Sequence, residues 1–208
     1  MAAQKAPFLK NMFEHAGLLI PDGIGVVLGV RKVYGVWSQR VAGADLMQQI
    51  CHVAAEKSYK IYIYGSKEEV NKKAVEILKS RYTGIQIVGR SHGYLGEDEM
   101  GNLVKAINDS GADILFVALG SPRQEQWIDT HIENLNVKIC QGIGGTLDTI
   151  TGEMKRAPAL FQRLGLEWFY RLVAEPRRAR RQAALPVFML KILLNGRPCQ
   201  KPVFHKTL

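Results

Sequence analysis

Two short apolar runs, each stopped by a glycine, constrain this chain most. Lys60-Ile-Tyr-Ile-Tyr-Gly65 and Asp113-Ile-Leu-Phe-Val-Ala-Leu-Gly120 are apolar at nearly every position between their ends. Strands covered on only one face alternate polar and apolar residues, so these runs read as strands buried on both faces. The segments between them have helical spacing. Residues 67–82 place Val70, Ala74, Ile77 and Leu78 on one side. Residues 97–110 carry acids in the first turn and Leu103, Val104 and Ile107 along one face. Further strands are expected at 85–88 and 137–141, and a helix from Ser121 as N-cap and Pro122 as first helical residue to about His131. Strand and helix at this rhythm predict an α/β, Rossmann-like parallel sheet with helices on both faces. Ahead of it, residues 1–16 read as a helix and Leu18-Leu-Ile20 as a short strand.

Charge divides the chain. The net charge is +9, yet residues 1–154 hold 16 Lys and Arg against 17 acids. Residues 155–208 hold 12 Lys and Arg against Glu167 and Glu175 alone, a net of +10. The same segment carries Trp168, Phe169 and Tyr170 in a helical pattern over 158–174, and an apolar stretch over 183–194 rich in Leu, Phe, Met and Val. The reading is therefore a catalytic α/β body, 1–154, and a basic amphipathic helical appendage, 155–208, suited to an anionic surface. No run of eighteen apolar residues occurs, and no signal-peptide pattern opens the chain. Three cysteines, Cys51, Cys140 and Cys199, fit neither a zinc motif nor a disulfide framework, which points to a reducing cytosol.

Ligands of open parallel sheets bind beyond the carboxyl ends of the strands. Four turns lie there: Pro21-Asp-Gly23, Gly65-Ser66, Gly120-Ser-Pro122 and Gly142-Ile-Gly-Gly145. None is a dinucleotide fingerprint or a P-loop; each is either a plain turn or a phosphate-holding one. Asp22 follows apolar residues and precedes a glycine, as a helix N-cap or a strand-end carboxylate would. Asp148 carries the same ambiguity. Gln124-Glu125 sits in the first turn of its helix. No Asp-x-Asp pair and no histidine pair at ligand spacing occurs, so no metal site is expected and arginines are the available cations for a diphosphate.

Taken in order, Leu19-Ile-Pro-Asp-Gly-Ile-Gly-Val-Val27, Arg40-Val-Ala-Gly-Ala-Asp-Leu46, Gly89-Arg-Ser-His-Gly-Tyr94 and Ala118-Leu-Gly-Ser-Pro-Arg-Gln-Glu125 form a specific set. Gly142-Ile-Gly-Gly-Thr-Leu-Asp148, Gly152-Glu-Met-Lys-Arg-Ala-Pro158, Leu164-Gly-Leu-Glu-Trp-Phe-Tyr-Arg-Leu172 and Glu175-Pro-Arg177 continue it. Across 18–181 the chain resembles the WecG/TagA/CpsF family of bacterial glycosyltransferases, most of all its TagA branch. The resemblance implies inverting transfer of N-acetylmannosamine from UDP-N-acetylmannosamine to undecaprenyl-diphosphate-linked N-acetylglucosamine. It places that reaction in wall teichoic acid linkage-unit synthesis, on the cytoplasmic face of the plasma membrane. It implies Asp22 as general base. Substrate contacts are expected from Gly23, Arg40, Gly65, Gly120, Gln124, Glu125, Gly142, Gly144, Gly145, Arg171, Arg178 and Arg181.

No cofactor is implied, and the resemblance leaves room for a homo-oligomer. Family members open with a further strand ending in a Thr-Ala-Asn-like segment. This chain starts inside the helix after it, so it is expected to be truncated or to lack one pocket wall. Two alternatives stand beside this reading. One is another UDP-sugar donor, N-acetylmannosaminuronate or glucose. The other is a basic nucleic-acid-binding module, disfavoured by the net −1 of the body. Turnover is expected to persist in EDTA. A strict need for magnesium or manganese, restored on re-addition, would contradict the metal-free reading.

Overall fold

The computed structural model describes residues 7–158 and 167–174, with Phe161, Val187, Phe188, Leu190 and Leu194 as isolated positions. Two compact units emerge. One takes Ala6–Ala16 and Gly43–Arg156, and the other Gly17–Ala42 with the described residues from Ala157 onward.

The larger unit is a four-stranded, wholly parallel sheet in the order β2-β1-β3-β4. Its strands are β1 (Lys60–Gly65), β2 (Gln86–Ser91), β3 (Ile114–Ala118) and β4 (Ile139–Gly142). Its helices are α1 (Pro7–His15), α3 (Gly43–Lys57), α4 (Glu68–Arg81), α5 (Met100–Asp109), α6 (Arg123–His131) and α7 (Thr146–Thr151), and a 3-10 turn, Glu97–Glu99, leads into α5. All five residues of β3 and the last five of β1 are buried, as runs apolar at successive positions require.

Alternate side chains feed two cores. Ile61, Ile63 and Phe116 pack with Met47, Cys51 and Ala54 of α3, Val70, Ala74 and Leu78 of α4, and Leu147 of α7. Tyr62, Tyr64, Leu115 and Val117 pack with Leu103 and Ile107 of α5 and Trp127 and Ile128 of α6, joined by Met12 of α1. Helices therefore cover both faces, as the sequence predicts. Burial pushes the Cys51 and Cys140 thiols up to about 12, so both stay protonated and act as small apolar packing groups.

The smaller unit contains α2 (Ile24–Tyr34), with Gly25, Val27 and Gly29 buried, and α8 (Glu167–Ala174). Phe161 is also helical. The rest of the segment expected to be helical, 159–160 and 162–166, lies outside the described residues, as do most of 183–194.

Three expectations need correction. Leu18–Ile20 is not a strand: Leu18 and Leu19 are exposed, and the segment takes no place in the sheet. A strand needs a neighbour for its backbone groups, and apolar character alone does not provide one. Asp22 consequently sits in an irregular loop rather than at a strand end. It is not the N-cap either, because Gly23 takes that position before α2. Lastly, α6 starts at Arg123 with Pro122 as N-cap, the Ser121–Pro122 bond is cis, and no side-chain cap bond forms.

Gly65 joins β1 to its loop at φ +120°. A Cβ there would lie 2.5 Å from the backbone carbon and oxygen of Ala118. Backbone on both sides leaves nothing flexible to move. Gly65→Ala is expected to cost about 3 kcal/mol from strain and overpacking, lowering the melting temperature by about 10 °C in a chain of this size. A thermal melt followed by circular dichroism checks this; an unchanged midpoint would contradict it.

Candidate active site

Strand order fixes where the larger unit can take a ligand. From β1 the chain passes through α4 on one face to β2, then through α5 on the other face to β3, which lies on the opposite side of β1. The loops after β1 and β3 therefore diverge at the carboxyl ends of these two strands, the place where open parallel sheets take ligands. Gly65–Ser66 and Gly120 stand at that point, and Gly142–Gly145 follows the neighbouring β4.

The turns at this point are closely tied. Ser66 donates its N–H to the Ala118 carbonyl at 2.8 Å, and Gly93 donates to the Ser66 carbonyl at 2.8 Å. Asn71 of α4 is fully buried. Its Nδ2 donates to the carbonyls of Gly65 at 2.8 Å and Ser91 at 3.1 Å. One amide thus pins the ends of β1 and β2, a role no spacing in the sequence announces.

Gln124 joins the β3 and β4 turns. Its N–H donates to the Gly120 carbonyl at 2.9 Å. Its side chain is buried, and its Oε1 accepts from the Gly144 N–H at 2.9 Å. Its Nε2 donates to Glu125 Oε1 at 2.9 Å. The other Glu125 carboxylate oxygen is buried, with no hydrogen-bond partner among the described residues. Gly142 lies beneath this amide, and a Cβ there would come 2.6 Å from Gln124 Nε2 and push the amide aside. Of the residues expected to bind substrate, Gly65, Gly120, Gly142 and Gly144 thus lie at the carboxyl ends of the strands of one sheet, and Gln124 and Glu125 in the first turn of α6. Gly145 joins them as N-cap of α7. Asp148 lies in the first turn of α7, a structural place. His92 is a loop residue whose Nδ1 accepts from the Tyr94 N–H at 3.2 Å.

In the smaller unit, Arg40 organises the loop that carries Asp22. Its Nε donates to the Asp22 carbonyl at 2.6 Å, and its Nη2 meets Glu167 Oε2 at 2.8 Å. The same nitrogen lies 3.9 Å from Asp22 Oδ1. The Asp22 side chain is 61% exposed and that of Glu167 only 11%. Two directions of the Arg40 guanidinium are thus engaged within the protein, and Glu167, which lies in the Leu164–Leu172 motif but is given no role by it, joins the constellation. Arg171 lies in α8, while Arg178 and Arg181 fall outside the described residues. Among the described residues no group of three or more His, Cys, Asp or Glu is placed to hold a metal ion. No helix among them is long and apolar enough to cross a membrane.

Residues 1–201 match the glycosyl transferase WecG/TagA/CpsF family. The chain belongs to this family. It is accordingly a sugar-transferring enzyme, not merely a basic binding module. It is 36% identical over 183 residues to a Bacillus subtilis (strain 168) protein named N-acetylglucosaminyldiphosphoundecaprenol N-acetyl-beta-D-mannosaminyltransferase, covering 88% of this chain and 71% of that protein. Proteins of the same name from Bacillus spizizenii and Staphylococcus aureus (strain MRSA252) are each 34% identical. They match over 200 and 192 residues, covering 96% and 92% of this chain and 77% and 74% of their own lengths. The residues matched span both units.

Proposed function

We propose that this glycosyltransferase moves N-acetylmannosamine from UDP-N-acetylmannosamine to N-acetylglucosamine on an undecaprenyl-diphosphate carrier, with inversion. The product belongs to the linkage unit of wall teichoic acid. The observation that carries the reading is the agreement of three relatives on one named reaction over nine-tenths of this chain.

The residues suit the chemistry. A single inverting displacement needs a base on the attacking hydroxyl and cations on the departing diphosphate. Asp22, exposed on its loop, is the base, and it takes the proton as the oxygen–carbon bond forms. The amides of the glycine turns hold the phosphates of UDP. Gln124 and Glu125 contact the donor from the first turn of α6. Arg171, Arg178 and Arg181 supply guanidinium forks for the diphosphates. Arg40 supports the Asp22 loop.

The basic segment after 154 also holds the enzyme peripherally on the inner face of the plasma membrane, where the lipid acceptor lies. Each basic residue near an anionic surface contributes about 1 kcal/mol. Incubation with UDP-N-acetylmannosamine, UDP-N-acetylmannosaminuronate and UDP-glucose, each with a lipid-diphosphate-N-acetylglucosamine acceptor, tests the donor. Extension is expected with the first alone. Efficient extension by either of the others would overturn the assignment.

A further inference from the structure

Only two acids accompany the twelve Lys and Arg of residues 155–208, and one of them, Glu167, is 8% exposed. A buried carboxylate is costly unless it is paired and hydrogen-bonded. Glu167 lies in α8. Its partner is Arg40, 127 positions earlier in the chain, at 2.8 Å.

Arg40 in turn reaches the proposed base through the backbone. Its Nε donates to the Asp22 carbonyl at 2.6 Å, and the next residue, Val41, donates its N–H to the Pro21 carbonyl at 3.2 Å. The carbonyls of two consecutive loop residues are thus bonded to two consecutive residues, Arg40 and Val41. Within the loop, Asp22 also donates its N–H to the Ile20 carbonyl at 3.0 Å. An arginine has many rotamers, and its planar fork holds one geometry when two directions are fixed together. Glu167 fixes one direction and the Asp22 carbonyl the other.

We infer that Glu167 is a positioning residue for the transfer reaction, acting through Arg40 to hold the Asp22 loop in its working geometry. The inference rests on Asp22 being the general base. Its consequence is that the appendage contributes a buried anion to the catalytic loop, beyond the cations for which its composition is conspicuous. A misplacement of about 1 Å in a reacting group can cost about a hundredfold in rate, so losing one of several loop restraints is expected to cost about tenfold.

The test measures turnover of the full chain with UDP-N-acetylmannosamine and the lipid acceptor. It compares Glu167→Gln, Asp22→Asn and the double variant. Rates are normalised to the concentration of UDP-binding sites, so that misfolded protein is not counted. Expected is a roughly tenfold lower kcat for Glu167→Gln, with KM for both substrates within about twofold of the unaltered enzyme. The double variant is expected to be no slower than Asp22→Asn alone, since residues acting as one unit are not additive.

Normal turnover by Glu167→Gln would overturn the inference. So would a double variant about tenfold slower than Asp22→Asn, or a loss that appears only in KM or in the number of UDP-binding sites. The last two are what a merely structural Glu167 would give. Near-normal turnover by Asp22→Asn alone would instead remove the base on which the inference stands, and that result is read without altering Glu167.

Discussion

Asp22→Asn leaves the chain folded and able to bind UDP, and lowers turnover by at least about a hundredfold, the lower range for removing a general base. The fold is expected to survive because the Asp22 side chain is 61% exposed. It caps no helix, since Gly23 holds that position. Arg40 is anchored to the Asp22 carbonyl, which asparagine retains, so the loop keeps its principal tie. What is lost is the anionic oxygen that accepts the hydroxyl proton. Asparagine presents a carbonyl oxygen and two N–H donors in its place, and neither takes up a proton at neutral pH. Steady-state rates together with UDP binding by calorimetry check this. Turnover within a few-fold of the unaltered enzyme would exclude Asp22 as the base.

Removal of everything after Pro158 is expected to abolish both binding to anionic vesicles and turnover. The cut spares the pairing of Arg156 with Asp45 inside the larger unit, so the sheet and both cores are retained. It removes ten of the twelve basic residues that follow Met154. It also removes Glu167, and with it the partner of Arg40. The two losses separate in a second variant. Replacing Arg171, Arg178 and Arg181 by Gln, with the apolar residues kept, should reduce turnover more than vesicle attachment, because nine other cations remain in the segment. Vesicle co-sedimentation at low and high salt reads the attachment, which weakens as salt rises. Normal turnover by the triple variant would make these arginines an anchor with no part in the reaction.

Much of the sheet was legible because its central strands advertise themselves. A run such as Ile114–Ala118, buried at every position, has few alternatives to a strand covered on both faces. The glycine turns were legible as places and ambiguous as chemistry. Gly142 looks like any turn glycine until the Gln124 amide is seen above it.

Leu18–Ile20 misled because pairing is a property of the whole sheet, whereas apolarity is local. The long helix α3 is weakly marked although Met47, Cys51 and Ala54 recur at helical spacing, because its first residues read more strongly as a motif than as an element. Asn71 and Glu167 were invisible for a different reason. A polar residue amid Glu and Lys on a helix, or an acid among arginines, reads as solvated surface. Only contacts with chain far away in sequence make it a buried tie.

The central claim is group transfer to a lipid diphosphate, and mass spectrometry of the acceptor tests it most directly. After incubation with UDP-N-acetylmannosamine, the acceptor should gain one N-acetylhexosamine. UDP should appear in equal molar amount, and Asp22→Asn should suppress both together. Release of UDP without any extension of the lipid would contradict the account, because it would make the protein a hydrolase of nucleotide sugars.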